Sequence, residues 1–385
     1  MNFVKTPYLQ LPETDGITVM WETDEESESQ LLVWEAYCPD CGDAECIVEY
    51  IPWGEAQVID GEDGYMHKVK IFGLESGKDY CYQAVSSAAG EELISERHVF
   101  RTGGDKDSAF SCAITSEFGG ASFGGWYPLE HSSSLIKAMA AERPDFLLFV
   151  GDMVWDGTKK HEWDTFMFKP FRDLFSHTPF YHCSGNHENH SEYIGQFLAT
   201  SEKGYYDFAY GSAHFVALDS SQLVDYIYDE KGNIASVMLI QELTEENPQI
   251  RFLTESLKKS NAKWKFVFFH HPPYIAGNFE AAVLRPLAKI FEEYDVDIVI
   301  NSHTIVYERS HPIRNDRLDY EKGVRYIVAG GAGDRPEWFR HKKAWHTAKS
   351  RAVPHFIHLV VAPARLELQA IDYNSGLFDM LVIEK

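Results

Sequence analysis

The chain has 385 residues, of which 44% are hydrophobic and 14% aromatic, a composition typical of a globular protein with large cores and not of a disordered chain. Its formal net charge of −24 disfavours nucleic acids and anionic membrane surfaces as partners, because the charge repels phosphate groups. No apolar run approaches the roughly 20 residues that a bilayer-spanning helix needs.

The first residues, MNFVKTPYLQLPETDG, contain no basic start followed by an apolar stretch, which is the pattern of an export signal. We therefore expect a cytoplasmic protein, unless a leader has been removed. Residues 1–103 instead alternate apolar and polar side chains in short runs separated by Gly, Asp and Glu clusters. This pattern predicts an all-β sandwich, which resembles a fibronectin type III-like module. The predicted strands are GITVMWE, QLLVWEAY, CIVEYI, HKVKIFGL, DYCYQAVS and HVFRT.

Acidic residues are concentrated in this first segment. Residues 1–103 hold 21 acidic and 6 basic side chains, a net charge of −15. The much longer remainder therefore carries the smaller share of the total. This change in composition favours a domain boundary near RTGGDKDS (101–108), with a sandwich at 1–103 and a second domain at 108–385.

From residue 108 onwards, strand-like runs alternate with helical segments such as SSSLIKAMAAE and LRPLAKIFEEY. This alternation predicts an α/β domain. Residues 222–250 interrupt it, and we expect a long loop or an insertion there. The predicted strands are FSCAIT, DFLLFVGD, PFYHCSGN, HFVALDS, KFVFFHH, VDIVINSH and RYIVAGG.

Polar side chains follow several of these strands. Asp152, Asn186, His270 and His303 each come just after an apolar run. Ligand sites in α/β proteins lie at the carboxyl ends of strands, so the four side chains are expected to share one crevice.

The motifs around these residues are GDMVWDG (151–157), GNHE (185–188), HHPPY (270–274) and SHTIVYER (302–309). In this order they resemble the calcineurin-like metallophosphoesterases, and in particular the purple acid phosphatase-like branch. The resemblance continues through PYLQLPETDGITVMWET near the start and YYDFAYGSAHFVALDS (205–220). It implies that the second domain contains two mixed sheets flanked by helices.

The resemblance also implies a centre of two metal ions that clamp a phosphate and activate a water. Asp152 would bridge the two ions. Asn186, His270 and His303 would complete one ion's ligands, and His187 would assist the phosphate or protonate the leaving group.

Three replacements fall on the position of the other ion. Glu117 stands where the family has Asp, Trp155 where it has Tyr, and Ile305 where it has a second His. Trp and Ile cannot ligate a metal. Glu117 could reach the remaining ion or only bond locally. Asn278 occupies a position where the family often has a substrate-binding His.

We therefore expect a metallophosphoesterase-like hydrolase with one intact site for a divalent Fe, Zn or Mn ion, acting on a small molecule such as a phosphate ester. Asp152, His270 and His303 also form a two-His, one-carboxylate set, which supports iron-dependent oxygen chemistry in other folds. Oxidation or lyase chemistry on this scaffold, or binding without catalysis, remain as alternatives because fold does not determine function.

Four cysteines belong to the first segment. Cys38, Cys41 and Cys46 lie in AYCPDCGDAEC, and Cys81 lies in DYCYQ. If QLLVWEAY and DYCYQAV pair antiparallel, the four thiols could bind a structural zinc ion. Two disulfides or four free thiols are the alternatives.

Overall fold

The computed structural model describes residues 1–36, 56–61, 64–118, 129–199, 203–231, 234–332, 336–340 and 343–385. The first part of the described chain contains eight strands: β1 Phe3–Gln10, β2 Gly16–Thr23, β3 Glu28–Glu35, β4 Ala56–Gly61, β5 Gly64–Phe72, β6 Asp79–Ala88, β7 Glu91–Ile94 and β8 His98–Arg101. The remaining strands are β9 Phe110–Thr115, β10 Phe146–Val150, β11 Phe180–Cys183, β12 Tyr206–Tyr210, β13 Ala213–Ala217, β14 Val224–Tyr228, β15 Ile234–Leu239, β16 Trp264–Phe268, β17 Ile298–Asn301, β18 Tyr307–Ser310, β19 Ile313–Arg314, β20 Arg317–Leu318, β21 Arg325–Ala329, β22 Thr347–Arg351, β23 His355–Ala362, β24 Arg365–Asp372 and β25 Leu377–Glu384.

The α-helices of the described residues are α1 Leu129–Glu142, α2 Lys160–Glu162, α3 Lys169–Phe175, α4 Tyr193–Phe197, α5 Pro248–Lys259 and α6 Ala288–Glu293. A π-helical segment, Trp163–Phe168, connects α2 to α3, and 3₁₀ turns lie at Ser220–Gln222 and Ala282–Leu287. Among these helices, none combines the length and the apolar composition that crossing a membrane would require.

The N-terminal strands form the predicted sandwich. Strands β1, β2, β5 and β4 make one layer, and β3, β6, β7 and β8 make the other. Apolar side chains from both layers pack in one core that includes Trp21, Val33 and Tyr82. Strands β3 and β6 pair antiparallel, as the sequence predicts, and the register places Trp34 opposite Cys81.

The rest of the chain is built on two facing sheets. One has the order β25-β24-β23-β9-β10-β11 and the other β12-β13-β16-β17-β21-β18-β22. Side chains such as Phe146 of β10 and Phe266 of β16 fill the core between them. Helices α1 and α3 contribute to a second core on the outer face of the first sheet, and α5 and α6 contribute to a third beside the other sheet. The predicted fold class is therefore confirmed.

The first sheet continues across the predicted domain boundary. Strand β1 pairs in parallel with β11 at Gln10 and Phe180, so ten strands form one sheet. Side chains reinforce this junction: the hydroxyl of Tyr8 donates to the carbonyl of Phe197, and that of Tyr181 donates to the carbonyl of Pro12. The division at 103–108 remains a prediction about chain organisation.

The cysteine prediction lies mostly outside the described residues, since Cys38, Cys41 and Cys46 are not among them. Cys81 is buried in β6, and it forms no disulfide with Cys112 or Cys183, the other two described cysteines, which are buried in their own strands. The choice between zinc, disulfides and free thiols therefore stays a prediction.

A buried charge cluster also holds the junction together. The ammonium group of Lys5 pairs with Glu22 and lies 3.0 Å from Asp164 of the π-helical segment. Lys160 places its Nζ 2.7 Å from the other carboxylate oxygen of Glu22. The side chains of Lys5 and Glu22 are each 1% exposed, so the cluster replaces hydration that both have lost.

We predict that Lys5→Met lowers the free energy of unfolding by about 3–5 kcal/mol, because it leaves a buried carboxylate without one of its partners. Urea denaturation of both proteins gives this difference. Lys70→Met is the matched control: Lys70 pairs with Glu13 at the surface, so its removal should cost no more than about 1 kcal/mol. Equal losses in the two variants would contradict the prediction.

Candidate metal centre

The candidate site lies where four strands of the two facing sheets end. Strands β10 and β11 are parallel neighbours in one sheet, and β16 and β17 are parallel neighbours in the other. The loops that follow them carry Asp152, Asn186, His270 and His303 respectively. The parallel pairing therefore brings four separate chain segments to the same edge of the molecule.

The loops after β10 and β11 approach each other closely. A Cβ at Gly151 would lie 2.7 Å from the backbone nitrogen of Gly185, and a Cβ at Gly185 would lie 2.1 Å from Oδ1 of Asp152. Gly151 also has a φ of +88°. Only glycine fits position 151 without moving Gly185, and only glycine fits position 185 without moving Asp152.

The carboxylate of Glu188 joins these two loops. Its Oε2 accepts hydrogen bonds from the backbone N–H groups of Asp152 and Gly185, both at 2.8 Å, and its Oε1 accepts one from Val154 at 3.1 Å. Glu188 is fully buried. Burial, and then the nearby charge of Asp152, raise the pKa of Glu188 to about 7, although the amide donors oppose the rise.

Donor atoms converge around His270. Its Nε2 lies 2.9 Å from Oδ2 of Asp152, 3.1 Å from Oδ1 of Asn186 and 3.2 Å from Nδ1 of His303. Its Nδ1 lies 2.8 Å from the carbonyl of Val150, which can only accept, so Nδ1 carries a hydrogen and Nε2 faces the cluster. Ligand atoms of Asp152, His270 and His303 all lie within 4.8 Å of one another.

These spacings fit a single metal ion. At metal–ligand distances of about 2.0–2.2 Å, neighbouring ligand atoms in tetrahedral or octahedral coordination lie about 2.8–3.6 Å apart. The three distances measured from His270 fall in this range. Imidazole and carboxylate donors with an amide oxygen suit Zn²⁺, Mn²⁺ or Fe²⁺.

Burial and neighbouring charges shift the pKa values of the residues in this site. Burial alone would raise the pKa of Asp152, but attraction to His270 and then to His187 outweighs it and holds this pKa below its usual value. Burial lowers the pKa of His270, yet Asp152 more than compensates and raises it to about 9. For His303, burial and then repulsion by His270 lower the pKa to about 3, so its ring is neutral.

The backbone is strained at three residues around the site. Asp152, Glu117 and His303 have φ values of +50°, +66° and +66°, a region that residues other than glycine seldom adopt. Such strain persists only where the surroundings impose it, and it concentrates at functional sites.

Glu117 contacts the loop of His303. Its Oε1 accepts a hydrogen bond from the hydroxyl of Ser302 at 2.6 Å and one from the backbone N–H of His303 at 2.7 Å. The same oxygen lies 4.0 Å from Nε2 of His270. Of the two predicted roles for Glu117, the local hydrogen bonds are present, and ligation of an ion stays a prediction.

Trp155 and Ile305 carry no ligand atom, and both are half-buried. The ring of Trp155 packs against the ring of His187 with centroids 4.3 Å apart. The backbone of Ile305 exchanges hydrogen bonds with Glu337, accepting from its N–H at 3.0 Å. Asn278 lies nearby, since its carbonyl accepts from the hydroxyl of Thr304.

His187 lies at the border of the cluster with 27% of its side chain exposed. Its Nδ1 is 2.5 Å from the carbonyl of Trp155, so Nδ1 carries the hydrogen. Its Nε2 lies 3.9 Å from Oδ2 of Asp152. Nε2 is thus the ring atom that faces the site and is free for another partner.

Sequence reasoning missed two contributors to the site, Glu188 and Tyr226, whereas it predicted a supporting or structural role for His271. Glu188 lies inside the recognised motif GNHE, so its position beside the predicted ligands could have suggested a supporting role. Tyr226 lies in the segment predicted to be a loop or an insertion. The structure instead forms an antiparallel hairpin of β14 and β15 there, with Val224 opposite Leu239.

Comparisons with known proteins agree with this fold. A family model described as calcineurin-like phosphoesterase matches residues 124–307. Purple acid phosphatase 15 of Arabidopsis thaliana is 26% identical over 322 residues, which cover 71% of this chain and 54% of that protein. Acid phosphatase type 7 of Danio rerio is 24% identical over 359 residues, covering 80% of this chain and 76% of that protein.

Among solved structures, a purple acid phosphatase from seeds of yellow lupin (Lupinus luteus) matches with a TM-score of 0.81 at 17% identity, covering 99% of this chain and 74% of that chain. The chain is therefore similar to calcineurin-like phosphoesterases over residues 124–307, and to purple acid phosphatases over most of its length. It spans about half the length of the Arabidopsis relative.

We predict that Gly185→Ala displaces Asp152, because the added Cβ would overlap its carboxylate and lie 2.5 Å from its backbone nitrogen. The variant should lose metal binding and melt at a lower temperature than the parent protein, as measured by elemental analysis and calorimetry. Gly195→Ala is the control, since its Cβ meets nothing within 4 Å in α4 and Ala favours helices over Gly. Full metal binding by the Gly185 variant would contradict the geometry.

Proposed function

We propose that the protein is a metal-dependent hydrolase of the phosphoesterase type that works with one divalent ion, held by Asp152, Asn186, His270 and His303. The observation that carries this proposal is the spacing of about 3 Å between Nε2 of His270 and a donor atom of each of the other three residues. Homology to acid phosphatases supports the reaction class.

A bound divalent ion would supply Lewis acidity towards a phosphoryl oxygen and a bound water that ionises near neutral pH. The chain's own contribution is to fix its donors. Val150 orients His270 through Nδ1, and the backbone N–H of His187 donates to Oδ1 of Asp152 at 3.0 Å. These contacts leave His270 Nε2 and Asp152 Oδ2 directed at the same point, as outer contacts do around other metal ligands.

His187 is proposed to act on the substrate. Its Nδ1 hydrogen is committed to the carbonyl of Trp155, so the ring cannot turn freely. In this orientation a protonated Nε2 can donate to a phosphoryl oxygen or to the leaving-group oxygen beside Asp152. The Trp155 ring packs against His187 at an interplanar angle of 35° and covers one side of it.

A single ion is proposed because the second position would keep few donors among the described residues. Trp155 and Ile305 offer none, and the carboxylate of Glu117 already accepts from Ser302 and His303. Among these residues, an ion at that position would have only Glu117 and the shared Asp152 as ligands, fewer than the four that such ions usually take.

A second candidate function rests on the set of Asp152, His270 and His303, which is a two-His, one-carboxylate arrangement. In other folds such a set with open positions binds Fe²⁺ and supports oxygen chemistry. Oxygen consumption that depends on added Fe²⁺, without release of phosphate from any ester, would favour this reading over hydrolysis.

We predict about one ion per chain in protein purified without added metal, measured by elemental analysis. Hydrolysis of an aryl phosphate or a phosphodiester should stop with chelator and should fall at least about 100-fold in His270→Ala, which loses a direct ligand. His161→Ala, an exposed histidine in α2, is the matched control and should keep full activity. Two tightly bound ions per chain, or none, would refute the single-ion proposal.

The replaced ligands of the second metal position can be restored by substitution. The triple variant Glu117→Asp, Trp155→Tyr and Ile305→His restores the ligand types that the homologous motif would carry. We predict that it binds a second ion when titrated with Zn²⁺, whereas Ile305→His alone still binds one, because a single added donor does not replace three. A triple variant that folds and still binds one ion would show that these replacements do not limit the count.

A further inference from the structure

The β14–β15 hairpin places one aromatic side chain against the candidate metal ligands. The hydroxyl of Tyr226 lies 2.7 Å from Nε2 of His271 and 3.3 Å from Nε2 of His303. Its ring is nearly parallel to that of His303, with centroids 5.7 Å apart and an interplanar angle of 19°. Tyr226 therefore contacts His303 at Nε2, whereas Nδ1 of His303 faces the donor cluster.

The hairpin is held firmly at its base. Val224 and Leu223 are buried in the core beside the second sheet, and Leu239 packs against the same core. The backbone N–H of Ile240 donates to the carbonyl of Leu223 at 2.9 Å. Tyr228, two residues beyond Tyr226, is 58% exposed. The protein thus fixes Tyr226 at the site and leaves its neighbour in solvent.

A continuous series of hydrogen-bonding groups leads away from His303. His303 contacts the hydroxyl of Tyr226, and the same hydroxyl contacts Nε2 of His271. Nδ1 of His271 in turn lies 2.8 Å from the hydroxyl oxygen of Ser220. Each imidazole in this series has one N–H and one lone pair when neutral, and the single hydroxyl hydrogen of Tyr226 can be donated to only one of the two histidines.

We propose that Tyr226 is a positioning residue for the metal centre: its oxygen accepts the Nε2 hydrogen of His303 and thereby keeps Nδ1 of His303 free to ligate. Its own hydroxyl hydrogen is donated to Nε2 of His271, which in turn donates from Nδ1 to Ser220. The inference rests on the proposed metal site, because it assigns a role to a contact of one of the proposed ligands.

The opposite direction would be incompatible with ligation. If Tyr226 donated to Nε2 of His303, the ring hydrogen would move to Nδ1, which faces Nε2 of His270 at 3.2 Å. A protonated Nδ1 has no lone pair for an ion. Partners that fix the tautomer of a ligating histidine typically change metal affinity about 10–100-fold when they are removed.

Removing the hydroxyl isolates this contribution. Tyr226→Phe keeps the ring against His303 but leaves the buried Nε2 hydrogen without its acceptor. We expect this variant to bind Zn²⁺ about 10–100-fold more weakly than the parent protein in a competitive titration with a chromophoric chelator. Tyr228→Phe, on the same hairpin, should bind within about 2-fold of the parent.

The outcomes separate this inference from the proposed function. A parent protein that does not bind zinc would refute the metal site itself. If Tyr226→Phe binds zinc as tightly as the parent protein does, the metal site stands and the role of Tyr226 is refuted.

A second measurement tests the tautomer directly. Long-range ¹H–¹⁵N correlation spectra of the zinc-loaded, histidine-labelled protein should show His303 protonated at Nε2, with the signal assigned by its loss in His303→Asn. In Tyr226→Phe this N–H signal should shift and exchange faster with solvent. An unchanged signal would overturn the proposal even if the zinc affinity fell.

Discussion

The site depends on the close packing of two loops around one buried carboxylate. Glu188 has no access to water, so its oxygens must be satisfied by the protein, and three backbone N–H groups from the loops after β10 and β11 supply those bonds. The glycines at 151 and 185 permit the approach. The direction of Asp152 follows from this packing, and the position of His270 follows in turn, because its Nε2 meets the carboxylate of Asp152.

Much of this arrangement can be predicted from the sequence, because its signals are local. A polar residue directly after an apolar run marks the end of a buried strand, and parallel strands bring such ends together. Asp152, His270 and His303 could be assigned to one place on that basis, and the structure brings them within 4.8 Å of one another. The N-terminal sandwich was predictable for a similar reason, since Tyr80, Tyr82 and Ala84, at every second position of DYCYQAV, pack in its core.

Other features depend on contacts between residues distant in the chain, which no local pattern records. Tyr226 meets His303 across 77 positions, in a segment whose mixed composition predicted only a loop or an insertion. One parallel residue pair, Gln10 with Phe180, joins β1 to β11 across 170 positions in the chain. It creates a single sheet that extends through both predicted domains. Glu117 could be recognised as a replaced ligand, but its bonds to Ser302 and His303 depend on how the loop after β17 folds back.

In the proposed single-ion site, the replacement of three donors need not weaken the remaining position, because the two halves of the site share their supports. The side chain of Glu117 is one methylene longer than the aspartate that the homologous motif would carry. Its carboxylate accepts a hydrogen bond from the N–H of His303, where the backbone is strained. That contact stabilises a loop conformation costing about 1–3 kcal/mol. Tyr226 meets the same histidine from the other side. His303 is thus held by its backbone and by its ring. In the proposed site its geometry is therefore set before an ion binds, which lowers the cost of ordering it on binding.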